Sequence, residues 1–181
     1  MIGLCLILPQ VKADNDVDYG NLTLLVNKGV ALDKLEHHRE AILYYDKALA
    51  IDPRNIRALI NKGVAVNGLG NHTGAIVYYD KVLAMDPHNL RSLNAKGWAL
   101  DNLGNYTGAI VYYDKVLAID PHNVFALNNK GLALNGLGNY TGAIVYYDKV
   151  LAIDPHYVYA LNNKGLALNG LGNHTGAIQY Y

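Results

Sequence analysis

Residues 124–136 carry apolar side chains at the spacing of a single helix face. Val124, Leu127, Gly131 and Leu134 follow one another at intervals of three, four and three residues, which is the pattern of an amphipathic helix. A second apolar run with helical spacing follows at residues 143–153. The sequence therefore predicts two amphipathic helices joined by a short polar turn.

The residues around these two runs predict where each helix begins and ends. Asn123 stands just before the first run, where an N-cap belongs. Gly138 follows the first run and suits a left-handed C-terminal cap. The second run ends at Asp154-Pro155, because a residue that precedes proline disfavours helical geometry.

The same pair of helices recurs at a fixed step of 34 residues. Asn-Lys-Gly stands at 27–29, 61–63, 129–131 and 163–165, with Ala-Lys-Gly at 95–97. The resulting units are 22–55, 56–89, 90–123, 124–157 and a partial 158–181. A period of this length with two helices per unit predicts a helical solenoid, in which stacked neighbours bury one another's apolar faces.

Small residues mark where the two helices of a unit approach each other. In the fourth unit these are Gly131 and Ala143, with Tyr147 and Leu151 expected to fill the space beside them. A larger side chain at either small position would clash with the paired helix. The helix pair is therefore expected to pack closely at these positions.

The order and spacing of these residues resemble the tetratricopeptide repeat (TPR) family. In the fourth unit the matching residues are Leu127, Gly131, Leu134, Gly138, Tyr140, Ala143, Tyr147 and Pro155. The resemblance covers residues 22–181 and implies an all-α, right-handed α-α superhelical solenoid. It also implies that the first helix of each unit lines a concave groove. One departure is that Val82, Val116 and Val150 stand where the family usually has a small residue, which Ala48 retains.

Asparagine recurs at one position of these first helices, and the resemblance places that position in the groove. The set is Asn27, Asn61, Asn129 and Asn163, and neighbouring positions add Asn94, Asn128 and Asn162. One turn further along are Asp33, Asn67, Asp101, Asn135 and Asn169. Carboxamides can pair with both the N–H and the C=O of an extended peptide, and the arrangement is similar to the asparagine ladder of O-GlcNAc transferases. The alternative is that these side chains are simply solvated.

The second position of each unit changes from cationic to aromatic along the array. It is occupied by Thr23, Arg57, Arg91, Phe125 and Tyr159, with Trp98 and Leu132 adding apolar surface. Arginine and aromatic residues are favoured anchors at interfaces. We expect an extended partner with an acidic part near the arginines and an apolar part near Trp98 and Phe125. The alternative is that these side chains pack between units.

Composition argues against several other functions. The net charge is zero, so no strongly basic face favours nucleic acid. Ser92 is the only serine, and no nucleophile–base set or phosphate loop is visible, so neither an enzyme nor a cofactor is expected. Equivalent histidines of stacked helices lie too far apart to share a metal ion.

A non-enzymatic protein-interaction scaffold is the favoured function. Alternatives are a docking arm of a larger enzyme, such as a glycosyltransferase, and an exported surface structural protein.

The ends of the chain and the turns bear on location. Residues 1–13 resemble a secretory signal and 14–21 an acidic lead-in, which favours export or the cell surface over the cytoplasm. The array has no polar capping helix at its C-terminal end, so a longer protein or self-association through that end is expected.

The motif Asn-x-Thr gives candidate glycosylation sites at Asn71, Asn105, Asn139 and Asn173. The alternative is that these asparagines cap the second helices.

Overall fold

The structure is a computed structural model that describes residues 19–180. Ten α-helices and no strand occur in this part of the chain. They are α1 (Tyr19–Lys34), α2 (His38–Ile51), α3 (Ile56–Gly68), α4 (His72–Met85), α5 (Leu90–Asn102), α6 (Tyr106–Ile119), α7 (Val124–Gly136), α8 (Tyr140–Ile153), α9 (Val158–Gly170) and α10 (His174–Ile178). The leader at 1–13 and most of the lead-in at 14–21 lie outside the described residues.

The helices stack in chain order and form a curved solenoid. Each helix packs against the next, and the first helices of the units (α1, α3, α5, α7, α9) also contact one another in series. The second helices (α2, α4, α6, α8, α10) make no such contacts with each other. Elements on the inner side of a curved stack are the closer ones, so the first helices line the concave side.

Asparagine side chains begin most of the helices. Asn123 Oδ1 accepts a hydrogen bond from the backbone N–H of Ala126 at the start of α7. Asn105 Oδ1 accepts from the N–H of Gly108 at the start of α6. These bonds satisfy N–H groups that have no partner within the helix. Helix α9 differs, because Tyr157 stands at its N-cap and makes no capping bond with its side chain.

A left-handed residue ends the first helix of each unit. Gly70, Gly104, Gly138 and Gly172 have φ between 74° and 80°. Around Gly70, Gly70 N–H donates to Asn67 O and Asn71 N–H donates to Val66 O, which is the Schellman arrangement. In the first unit Glu36 takes this conformation instead, with φ of 62°.

The core of each of the first four units contains a buried tyrosine that lies against a glycine. Tyr79, Tyr113 and Tyr147 come from the second helices and lie against Gly63, Gly97 and Gly131 of the first helices. A Cβ at Gly131 would lie 2.6 Å from Cε1 of Tyr147, so the expected close approach of this helix pair is confirmed. Val82, Val116 and Val150 are fully buried as well.

A lysine on each first helix from α3 onward joins three helices. Lys62 of α3 pairs with Asp46 of the preceding unit and lies 4.7 Å from the ring centroid of Tyr78 in its own unit. Burial alone would lower the pKa of Lys62, but its interactions with Asp46 and Tyr78 raise it overall. The arrangement repeats through to Lys164 and Asp148, 2.6 Å apart. These pairs link consecutive units beside the core.

Candidate peptide-binding groove

Two of the ladder asparagines are held by arginines of the next unit. Arg57 Nη2 donates to Asn27 Oδ1 at 2.8 Å, and Arg91 Nη2 donates to Asn61 Oδ1 at 2.5 Å. Asn61 is only 4% exposed, whereas both arginines are exposed. The Arg91 guanidinium has five N–H donors in all, so donors remain that can face a ligand.

The asparagines of the later units bond mainly to one another. Buried Asn128 donates from Nδ2 to Asn129 Oδ1 and accepts at Oδ1 from Asn163 Nδ2, both at 3.3 Å. Asn94 Nδ2 donates to Asn123 Oδ1 at 3.3 Å, and Asn162 is exposed. The set thus forms a polar line along the concave side in which several carboxamide groups already have protein partners.

A cavity of about 430 Å³ lies between α5 and α7 on this side. We call it the Trp98 pocket, and its main lining residues are Leu90, Arg91, Asn94, Trp98, Phe125 and Asn129. The lining is chiefly apolar, with Trp98 39% and Phe125 65% exposed. The structure therefore brings together Arg91, Trp98 and Phe125, the residues that the sequence analysis assigns to one binding face.

A second cavity of about 370 Å³ lies beside Trp98. We call it the Asp101 pocket, and it is lined by Trp98, Asp101, Asn102, Tyr106, Leu132, Asn135 and Gly136. Asp101 is 8% exposed, and Asp101 Oδ1 and Asn135 Oδ1 are buried without a hydrogen-bond partner. The two cavities share Trp98 as a lining residue.

Equivalent side chains in other units do have partners. Asp33 Oδ1 lies 2.5 Å from His38 Nδ1, and Asn67 Oδ1 lies 2.7 Å from His72 Nδ1. In the third unit the residue that corresponds to His38 is Tyr106. Asp101 Oδ1 therefore has no histidine as a partner, unlike Asp33 and Asn67 in the first two units.

Burial governs the ionisation of groups beneath the groove. Burial raises the pKa of Asp101 from 3.8 to about 6. Burial also raises the pKa of Tyr113, and the negative charge of Asp101 adds to that rise. Asp101 is thus a carboxylate above pH 6 that no cationic side chain among residues 19–180 neutralises through an ion pair.

Several residues selected from the sequence lie outside these two cavities. Tyr159 is exposed on α9 and its ring contacts that of Tyr157 in a tilted arrangement, with centroids 5.7 Å apart. The asparagines of the Asn-x-Thr motifs cap second helices, and each is exposed. Their Oδ1 atoms accept from Gly74, Gly108, Gly142 and Gly176. Capping occupies the carboxamide oxygen of each of these asparagines, and glycosylation at these sites stays a prediction.

Sequence reasoning missed the functional potential of Asp101 and Asn135. Both positions belong to a recurring polar column, but the column by itself does not distinguish a paired from an unpaired member. The signal that could have done so is the replacement of histidine by Tyr106 and Tyr140 five residues later. That change removes the partner that His38 provides for Asp33.

Models of the tetratricopeptide repeat match residues 23–55, 56–89, 91–123 and 124–157. These segments cover well over half of the chain, so the chain belongs to the tetratricopeptide repeat family. Like members of this family in general, the chain is a protein-interaction scaffold. A search of the curated proteins finds no match.

Solved structures of other repeat proteins resemble the whole solenoid. The crystal structure of MamA protein is 25% identical over 90% of this chain and 88% of that chain, with a TM-score of 0.73. PilF of Pseudomonas aeruginosa is 22% identical over 90% of this chain and 74% of its own, with a TM-score of 0.79. A tetratricopeptide repeat protein from Parabacteroides merdae is 23% identical over 92% and 64%, with a TM-score of 0.79. The last two likenesses show the fold alone.

Within residues 19–180, no helix is both long and apolar enough to cross a membrane.

Proposed function

We propose that this chain is a non-enzymatic scaffold whose concave side binds an extended segment of a protein partner. The observation that carries the proposal is the Trp98 pocket, where an exposed cation and two exposed aromatic rings converge on one cavity. Concave, chiefly apolar cavities with a few polar groups are the usual ligand sites of proteins. Arginine and tryptophan are enriched among the residues that dominate binding energy.

The chemistry of the pocket selects the partner. A large aliphatic or aromatic side chain would fill the space between Trp98 and Phe125 and displace water from both rings. A carboxylate next to it in the partner would meet the Arg91 guanidinium, whose planar donors suit carboxylate oxygens. Asn94 and Asn129 line the same cavity, and their amides would pair with the partner's backbone. An acidic residue near a bulky apolar residue is therefore the expected motif.

The test is an array of synthetic peptides in which one acidic and one bulky apolar residue vary in type and spacing. Trp98 is the only tryptophan of the chain, so its intrinsic fluorescence reports binding by tryptophan-free peptides directly. The best peptide should lose about tenfold or more in affinity for Arg91→Ala and for Phe125→Ala. Removing the acidic residue from that peptide should abolish the effect of Arg91→Ala.

A matched control uses an exposed apolar residue away from the groove. Val111 is 52% exposed on the second helix α6 and lines neither cavity. Val111→Ala should leave the affinity unchanged. If no peptide of the array binds, or if all three variants bind the best peptide as the parent does, the proposed function is wrong.

A further inference from the structure

The Asp101 pocket contains two buried oxygen acceptors that face no donor. Asp101 and Asn135 belong to adjacent units and line the same cavity, and the Oδ1 atom of each is buried without a hydrogen-bond partner. Unpaired buried polar atoms are uncommon in folded proteins because each costs free energy. A ligand that donates hydrogen bonds to both oxygens would remove that cost.

The replacement of histidine explains why these two oxygens are free. His38 serves Asp33 and His72 serves Asn67, while Tyr106 and Tyr140 occupy the matching positions beside Asp101 and Asn135. The two tyrosine rings instead pack against Gly136 and Gly170 of the following unit. At this position of the repeat, the buried acceptors without a partner are those of the third and fourth units, which line the cavity.

On these grounds we propose that the Asp101 pocket binds a lysine or arginine side chain of the same extended partner segment whose apolar residue occupies the Trp98 pocket. The inference rests on the proposed function. An ammonium or guanidinium group offers several donors and the positive charge that the Asp101 carboxylate lacks. The methylene stem of that side chain would pass over the indole face of Trp98, a favourable position for a cation as well.

The spacing of the groups on α5 sets the spacing within the partner. Arg91 and Asp101 are ten positions apart on one helix, which corresponds to about 15 Å. An extended chain advances about 3.3 Å per residue, so residues i and i+4 lie about 13 Å apart. Residues i, i+2 and i+4 point to the same side of such a chain. The expected order on that side is acidic, apolar and basic, with the apolar residue between Arg91 and Asp101.

The experiment measures the affinity of synthetic peptides through Trp98 fluorescence at pH 7.5. One pair has Glu-Ser-Leu-Ser-Lys and Glu-Ser-Leu-Ser-Gln at its centre, and a second pair has the reversed order so that either chain direction is tested. The lysine peptide of one pair should bind about tenfold more tightly than its glutamine partner. For Asp101→Asn that preference should shrink to about twofold or less.

Two features of the chain make the variant informative. Asparagine already occupies the equivalent position in three units, at Asn67, Asn135 and Asn169, so Asp101→Asn is compatible with the fold. Asp33→Asn is the matched control, because the Asp33 carboxylate is already bonded to His38. Asp33→Asn should keep the full preference for lysine.

The outcomes separate this inference from the proposed function. Equal affinity of the lysine and glutamine peptides, with Phe125→Ala still weakening both, overturns the basic-residue site and leaves the apolar pocket standing. A lysine preference that survives Asp101→Asn also overturns it, since the cation would then lie elsewhere. If none of the four peptides binds and the wider array is equally negative, both proposals are wrong.

Discussion

The ring of Tyr113 lies directly against the backbone of Gly97, so that a Cβ at residue 97 would stand 2.6 Å from Tyr113 Cε1. Real side chains do not come so close, and glycine is therefore required for this helix pair to approach as it does. Trp98, which lines both pockets, directly follows Gly97 on α5. Core packing and the candidate site are thus coupled in neighbouring residues.

Gly97→Ala should destabilise the protein. Alanine favours a helix over glycine by about 1 kcal/mol, but overpacking against the fully buried Tyr113 costs about 1–3 kcal/mol. The expected net loss is about 1–2 kcal/mol in the free energy of unfolding, measured with chemical denaturant. In a Tyr113→Leu background the ring is gone and Gly97→Ala should cost little or even stabilise. Equal costs in the two backgrounds would show that the ring contact does not limit residue 97.

Glu36→Gly should stabilise the first unit. Glu36 holds φ of 62° where the other four units have glycine, and a side chain at this conformation carries strain that glycine does not. The expected gain is about 0.5–1 kcal/mol, seen as a higher midpoint of thermal unfolding. Gly104→Ala imposes the reverse change at φ of 75° and should lower that midpoint. A Glu36→Gly protein no more stable than the parent would mean that other contacts compensate for the backbone conformation.

Asn105→Ala should destabilise the array through the loss of a helix cap. The Asn105 side chain accepts from the Gly108 N–H at 3.0 Å, and such caps are worth about 1 kcal/mol. Asn105→Ser retains an acceptor and should recover most of that loss in denaturant unfolding. Both variants remove the Asn-x-Thr motif, so intact-mass measurement of the parent protein isolated from its native source would test glycosylation separately. Similar stabilities of the alanine and serine variants would argue against the capping role.

Asp101→Asn should make the protein more stable, with a gain that depends on pH. The folded state holds the Asp101 proton more tightly than the unfolded chain, because burial raises the pKa from 3.8 to about 6. The wild type therefore loses stability as pH rises from about 4 to about 6, and the loss is then complete. The advantage of the variant should grow across this window to at most about 3 kcal/mol. Asp33→Asn replaces a carboxylate that already bonds to His38 and should show no such gain. A pH-independent gain for Asp101→Asn would contradict the burial argument.

The repeat made most of the fold predictable from the sequence. The positions of Asn123, Gly138 and Asp154-Pro155 predict the ends of α7 and α8, and the structure confirms them. The small residue Gly131 opposite Tyr147 likewise predicts a contact that is present. Local chemistry repeated at a fixed step determines these features, so each unit reinforces the prediction made for the others.

The candidate site was less predictable because it depends on differences between units. Arg91 bonds to Asn61 across 30 residues, a contact that the stacking of units sets. The free acceptor of Asp101 results from Tyr106 in place of a histidine, and the Trp98 pocket exists only where Trp98 and Phe125 meet across α5 and α7. The sequence identifies each of these residues, but the stacking of the units determines which side chains are in contact.

The central claim is that the concave side, at α5 and α7, binds an extended peptide. Backbone amide chemical-shift mapping of isotopically labelled protein, titrated to saturation with the best peptide of the array, tests it most directly. The account predicts that the large shift changes lie on α5 and α7 around Arg91, Trp98, Asp101 and Phe125, with small changes on α4, α6 and α8. Large changes confined to those second helices, or an unchanged spectrum at saturating peptide, would contradict it.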